Sequence, residues 1–333
     1  MWHSDDIPSS SMSFNANMLL SVIVPVYNEE EVLSAFHDRL SEVLKSMLVN
    51  AEIIYVNDGS TDKTILLLNT LRENDPRITL LELSRNFGKE IALTAGLDYA
   101  SGDAIAVIDA DLQDPPELIP ELFKHWKEGY DVVYARRLAR EGETILKKVT
   151  ANAFYSLMQK VGCVKIPENT GDFRLLSRRA VDSLKQFREK HRFMKGLFAW
   201  IGYPQKEVLY RRDQRYAGKT KWNYWRLFNL ALDGITSFTT TPLKLSTYLG
   251  LLTALSAFCS GLIVIFKTLI YGESVKGYPS LMVVILFLGG IQLIALGIIG
   301  EYLARMFDES KNRPLYFLKN YEPSKLYRRK SSD

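Results

Sequence analysis

The sequence predicts an α/β fold: a mostly parallel sheet with helices on both faces, followed by two helices that cross a membrane. Three observations predict it. Short runs rich in β-branched residues alternate with longer stretches of helical character. A polar cluster follows each of those runs. Charge then nearly vanishes between Leu243 and Met306 and returns as a basic tail. With 333 residues, 47% hydrophobic content and a net charge of +4, this is the composition of a folded chain. Nothing in that balance calls for a nucleic-acid partner. Cys163 and Cys259 fall one in each region, which gives neither a disulfide framework nor metal-ligand spacing.

Residues 1–18 open with MWHSDDIPSSSMSFNAN, which is polar and has no apolar core, so a disordered tail without a secretory signal is expected. Five strands then succeed one another in the domain 19–221: LLSVIVPVYN, AEIIYVND, ITLLELS, DAIAVID and DVVYAR. Most are apolar throughout, as strands covered on both faces are. The stretches between them, EEEVLSAFHDRLSEVLKSML, DKTILLLNTLREN, KEIALTAGLDYA and PPELIPELFKHWKE, read as helices. This alternation implies right-handed crossovers and an open doubly wound sheet. Ligands of such sheets bind beyond the carboxyl ends of the strands. The polar clusters YNEE, NDGSTD, SRNFGK, DADLQD and ARR all fall there.

Residues 222–242 place Trp222, Trp225, Leu227, Phe228 and Leu232 on one broad helical face, with Arg226 and Asp233 elsewhere. Such a helix suits the bilayer interface. The region 243–306 holds two spans long enough to cross about 30 Å of hydrocarbon, with Lys267 and Glu301 near span ends. Arg305 closes the second span, and the tail 307–333 adds Lys311, Arg313, Lys319, Lys325, Arg328, Arg329 and Lys330. By the positive-inside tendency the tail is cytoplasmic, and two crossings put the large N-terminal part there too. Gly250, Gly261, Gly289, Gly290, Gly297 and Gly300 offer small-residue faces for packing within the hairpin or between copies in a homo-oligomer.

Two ligand classes are excluded by missing glycines. PVYNEEE has no dinucleotide fingerprint, and the GKT at Gly218–Thr220 has Asp213 where a P-loop needs its first glycine. The stretch VIDADLQDPP poses a sharper question, because Asp109, Asp111 and Asp114 lie within six residues. Either water spreads their charge at a strand end, or a cation sits among them.

Taken together, VIVPVYNEE, VNDGSTD, RNFGKEIALTAGLDYASGD, DADLQDPPE and RYAGKTKW resemble family 2 glycosyltransferases of the GT-A fold over roughly residues 19–225. The paired C-terminal helices extend the resemblance to polyprenyl-phosphate hexose synthases of the dolichol-phosphate mannose synthase and GtrB bactoprenol glucosyltransferase types. The Q-x-x-R-W motif of processive polysaccharide synthases is absent, for no Arg-Trp pair occurs.

The resemblance implies a GT-A Rossmann-like domain, an inverting transfer and a Mg²⁺ or Mn²⁺ ion. Asp111 and Gln113 would hold the metal, with Asp109 reaching the metal or the ribose, and Asp114 would cap the following helix. Pro25, Tyr27, Glu29, Asp58 and Ala110 would line the nucleotide-sugar pocket. Lys89 would reach the pyrophosphate, and Arg215 and Lys221 would close over it. Arg136, with Arg137 as fallback and Lys148 as a second cation, would bind the acceptor phosphate. Asp172 would orient a sugar hydroxyl or act as a weak base. The expected reaction moves a hexose, glucose from UDP-glucose first, onto polyprenyl phosphate. The alternatives are GDP-mannose or another nucleotide sugar as donor, or a non-catalytic membrane subunit that binds nucleotide sugars.

Overall fold

The computed structural model describes residues 18–138, 167, 170–211, 241–271 and 277–326. Lys148, Arg215, Lys221, Cys163 and the interface helix expected over 222–242 lie outside the described residues, Thr241 and Pro242 apart. The five strands read from the sequence are β1 (Leu19–Val26), β2 (Asn50–Asn57), β3 (Ile78–Leu83), β4 (Ala104–Val107) and β5 (Val132–Arg137). Three more join them: β6 (Thr170–Ser177), β7 (Gln205–Tyr210) and β8 (Leu318–Glu322). The eight-stranded sheet runs β7-β5-β6-β4-β1-β2-β3-β8.

Strands β1, β2, β3 and β4 pair in parallel, and so do β5 and β7. β6 lies antiparallel between β4 and β5. Alternation of strand and helix therefore runs to β5, β6 then lies between β4 and β5, and its first residues arrive at the edge where β1, β2, β4 and β5 end. From β1 the chain winds one way to β2 and β3, while β4 lies on its other side. A sheet whose winding reverses at one point opens a crevice there.

The helices cover both faces, as the apolar runs require. On one face lie α1 (Leu33–Ser46), α2 (Thr64–Asn74) and α4 (Ile119–Lys127), packed through Phe36, Leu40, Leu68 and Leu122. The other carries α3 (Lys89–Tyr99), α5 (Arg178–Leu184) and α6 (Met194–Trp200), packed through Leu93, Val181, Leu197 and Phe198. Each such buried side chain contributes roughly 1.5–3 kcal/mol of transfer free energy. α3 lies so close on β1 that a Cβ at Gly96 would meet Ile23 Cγ2 at 2.3 Å. Only glycine permits that approach.

Two long helices, α7 (Thr241–Tyr271) and α8 (Tyr278–Ser310), pack on each other. Both are long and apolar enough to cross a membrane, and none of their most apolar windows is buried in the protein. Leu251, Phe258, Phe287 and Leu293 on them are exposed, which leaves an apolar surface uncovered by the described residues.

The segment read as a basic tail over 307–333 carries further structure through Leu326. α8 continues to Ser310, where Glu309 Oε1 accepts the Lys190 backbone N–H at 2.7 Å and His191 Nε2 lies 3.2 Å from Asp308 Oδ2. The chain then returns to the sheet as β8, antiparallel to β3. Arg72 pairs with Glu322 at 2.5 Å, Lys319 with Glu82 at 2.7 Å, and the Tyr316 hydroxyl donates to Asp98 at 2.9 Å. Spacing alone did not reveal β8, because LKNYE is a polar edge strand with little burial.

Candidate active site at the carboxyl edge of the sheet

Two loops join first. Asn28, after β1, has a left-handed φ of 55°, receives Thr61 N–H on its Oδ1 at 2.8 Å and donates its own N–H to Ser60 Oγ at 3.0 Å. The Glu29 N–H reaches Thr64 Oγ1 at 2.9 Å. Asp58, after β2, is buried and accepts the backbone N–H groups of Phe87 and Gly88 at 2.7 and 2.9 Å. Burial raises its pKa, and those two donors oppose the rise. Its carboxylate thus fixes the loop that leads to Lys89. At Gly59, with φ 68°, a Cβ would lie 2.5 Å from the backbone of Arg85 and Asn86, so the loops touch only because this residue is glycine.

The centre of the site is a lysine between two carboxylates. Lys89 Nζ donates to Asp109 Oδ2 at 2.7 Å and to Asp172 Oδ2 at 2.5 Å. Desolvation opposes the lysine charge, but the two carboxylates outweigh it and hold its pKa above the ordinary value. Burial also pushes Asp172 up, yet Lys89 and Lys195 hold it well below the usual carboxylate range. Asp109, where burial prevails over Lys89, is raised. Asp172 Oδ1 is buried with no hydrogen-bond partner among the described residues. This aspartate sits in β6, and Arg174 bonds the backbone beside it: Nε to Asp172 O at 3.2 Å and Nη2 to Gly171 O at 2.9 Å.

Beyond β4 the acidic loop bends sharply. Leu112 takes a left-handed φ of 57°, and Asp111 Oδ1 accepts the Gln113 N–H at 3.1 Å. Asp111 and Gln113 remain half-buried, while Ala110 is buried beneath them. Asp114 is fully buried just before the short 3-10 turn Pro116–Leu118, with Oδ1 accepting the Tyr210 hydroxyl at 2.5 Å.

The two arginines ending β5 point to different surroundings. Arg136 forms an exposed pair with Glu207 at 2.9 Å. Arg137 donates its Nε to the Tyr210 hydroxyl at 3.2 Å and lies so near Gly171 that an added Cβ would meet its Nη2 at 3.1 Å. Pro25 and Tyr27 stand at the end of β1, with Tyr27 exposed. The structure thus brings Asp58, Lys89, Asp109, Asp111, Arg137 and Asp172 to one edge, and leaves Arg136 on an outward ion pair.

Three residues of this edge escaped the sequence reading. Tyr210 ends β7, a strand too polar to be counted. Lys195 donates to Thr170 O at 3.1 Å beside Asp172. Glu90 is pushed up to about 7 by burial and by Asp172. Its position directly after Lys89 was the one available signal.

Residues 21–185 match the description Glycosyl transferase family 2, and residues 241–306 match the GtrB C-terminal hairpin. An uncharacterized glycosyltransferase of Synechocystis sp. is 55% identical over 90% of this chain and 94% of its own length. The chain belongs to glycosyl transferase family 2. Family members named bactoprenol glucosyl transferase are as extensive in their likeness. That of Shigella phage SfV is 49% identical over 91% of this chain and 99% of its own. The SfII prophage-derived protein of Shigella flexneri is 49% identical over 91% and 98%. Among solved structures, glucosyl-3-phosphoglycerate synthase from Mycobacterium tuberculosis, in complex with Mn²⁺, UDP and phosphoglyceric acid, aligns at a TM-score of 0.46 and 21% identity over 66% of this chain and 77% of its own. The resemblance drawn from the sheet-edge motifs therefore holds for this glycosyltransferase.

Proposed function

We propose that this family 2 glycosyltransferase moves glucose from UDP-glucose onto polyprenyl phosphate, inverting the anomeric centre, with its catalytic domain and both termini in the cytoplasm. One observation carries the reading: relatives named bactoprenol glucosyl transferase match it at 49% identity across nearly their whole length. The second match, to the GtrB hairpin, supports a lipid acceptor, and the exposed apolar faces of α7 and α8 support a membrane seat. The basic tail supports the orientation.

The donor set suits Mg²⁺ or Mn²⁺. No group of three His, Cys, Asp or Glu among the described residues could cage a metal alone. Asp109, Asp111 and Gln113 would hold the ion by part of its shell only, the usual pattern where substrate phosphates complete it. When bound, the ion supplies counter-charge to the leaving diphosphate.

The chain's own residues do the rest. Pro25, Tyr27, Glu29, Asp58 and Ala110 border the space for the nucleotide, and Arg215 and Lys221 would close over its phosphates. Lys89 holds Asp109 and Asp172 at fixed separation. The lipid phosphate attacks as an anion and needs no strong base, so alignment dominates. Asp172, ionised and with Oδ1 uncommitted, accepts a hydroxyl of the sugar or of the incoming phosphate. Arg137, beside Gly171, is better placed than Arg136 for the acceptor phosphate, with Lys148 a second cation. The test is a donor screen with purified protein, polyprenyl phosphate and Mn²⁺ or Mg²⁺. Glucosyl lipid formed from UDP-glucose is expected. Transfer from GDP-mannose in preference, or no glycolipid from any donor, overturns the reading.

A further inference from the structure

The end of β7 meets two charged groups at once. Tyr210 stands opposite Arg137 in the parallel register of β5 and β7. Its hydroxyl accepts from Arg137 Nε at 3.2 Å and donates to Asp114 Oδ1 at 2.5 Å. The side chain is buried, its ring edge-on to Phe173 at a centroid distance of 6.5 Å and an angle of 87°. A phenol has one proton to give, and here it goes to the carboxylate. Its lone pair goes to the guanidinium. Asp114 closes the same turn that carries Asp109 and Asp111.

We propose that Tyr210 is a positioning residue of the transfer: it ties Arg137 to the metal-binding loop through Asp114, so that the arginine is set for the acceptor phosphate before the lipid arrives. The inference rests on the assignment of Arg137 to that phosphate under the proposed function. An arginine held at Nε still presents both Nη groups to a phosphate, the forked face that matches its oxygens. Held in place beforehand, it loses less freedom on binding. The bridge also joins the acidic loop to Arg137 through one hydroxyl.

The experiment uses full-length protein in lipid nanodiscs, with apparent KM values for polyprenyl phosphate and UDP-glucose and the thermal midpoint. Tyr210→Phe keeps the ring and removes the bridge. Its lipid KM should rise about tenfold, the loss expected for a hydrogen bond to a charged group. The donor KM and midpoint should hold. Asp114→Asn, which leaves the phenol an acceptor but removes the charge, should move the lipid KM in the same direction. Arg137→Lys tests the underlying assignment separately: an unchanged lipid KM in that variant removes Arg137 from the acceptor site, whatever Tyr210 does. If Arg137→Lys raises the lipid KM but Tyr210→Phe does not, or raises both KM values equally with a fallen midpoint, the bridge is only packing and the proposal fails. In the double variant Tyr210→Phe/Arg137→Lys, the two effects should not add; full additivity counts against the link.

Discussion

The Lys89 ammonium lies 2.5 Å from Asp172 Oδ2, joining the start of α3 to the start of β6 across the carboxyl edge of the sheet. That contact crosses 83 positions of sequence. It makes the lysine a brace between Asp109 and Asp172. Lys89→Met should therefore lower kcat/KM by about ten- to a hundredfold, the range for losing charge-assisted hydrogen bonds. Lys89→Arg, which keeps charge but not shape, should recover only part. Steady-state kinetics on the two variants decide it, and wild-type rates in Lys89→Met would rule the brace out.

Asp111 should be indispensable. Asp111→Ala is expected to leave less than about a hundredth of the wild-type rate, since the leaving diphosphate loses metal counter-charge. Chelator should do the same to the wild-type protein, with activity returning on addition of Mn²⁺ or Mg²⁺. Full activity in chelator would remove the metal from the mechanism.

The arginines of β5 should separate cleanly. Arg137→Ala should raise the apparent KM for lipid phosphate more than tenfold. Arg136→Ala should change it less than about threefold, because an exposed ion pair such as that with Glu207 contributes roughly 0.2–1 kcal/mol. The reverse ranking would return Arg136 to the acceptor site.

A buried polar cluster away from the site predicts a pH effect on stability. His37 lies 3.1 Å from the Tyr55 hydroxyl and 3.6 Å from Asp75, which Arg77 clasps at 2.6 Å. Burial lowers the His37 pKa below 6.5, and Asp75 only partly offsets it. With the folded value depressed, the contribution of neutral His37 is complete above pH 6.5 and is lost as pH falls from there through the folded value. The thermal midpoint in detergent should drop between pH 7.5 and 5.5. His37→Gln should flatten that slope, and a slope that survives the substitution would place its source elsewhere.

Strand β8 should matter to the domain as a whole. Ending the chain at Lys311 uncovers β3 and removes the pairs Arg72–Glu322 and Lys319–Glu82. The shortened protein should melt several degrees lower and aggregate, as exposed edge strands invite. An unchanged midpoint would mean the strand is decorative.

Much of this was legible in the sequence because it is local. The five apolar strands declared themselves by their β-branched runs, and the polar clusters by standing directly after them. The two apolar helices needed only length. The features that stayed hidden depend on partners far along the chain. TGDFRLLS looks like a loop, with its glycine, aspartate and arginine, yet all eight residues are buried between β4 and β5. Asp114 reads from the sequence only as a helix cap, because Tyr210, which donates to it, lies 96 positions away. Arg136 and Arg137 are adjacent and chemically identical, so alternation along a strand, not identity, sends one to the site and one to Glu207.

The position of β8 also sets an order of events during synthesis. A chain leaves the ribosome from its N-terminus, so the strand that covers β3 emerges after α7 and α8 have already been made. The parallel strands can pair early, but the sheet stays open beside β3 until residues 318–322 have been made. β8 thus closes a sheet whose other strands are all synthesised before the two apolar helices, and an interrupted synthesis leaves β3 as a bare edge.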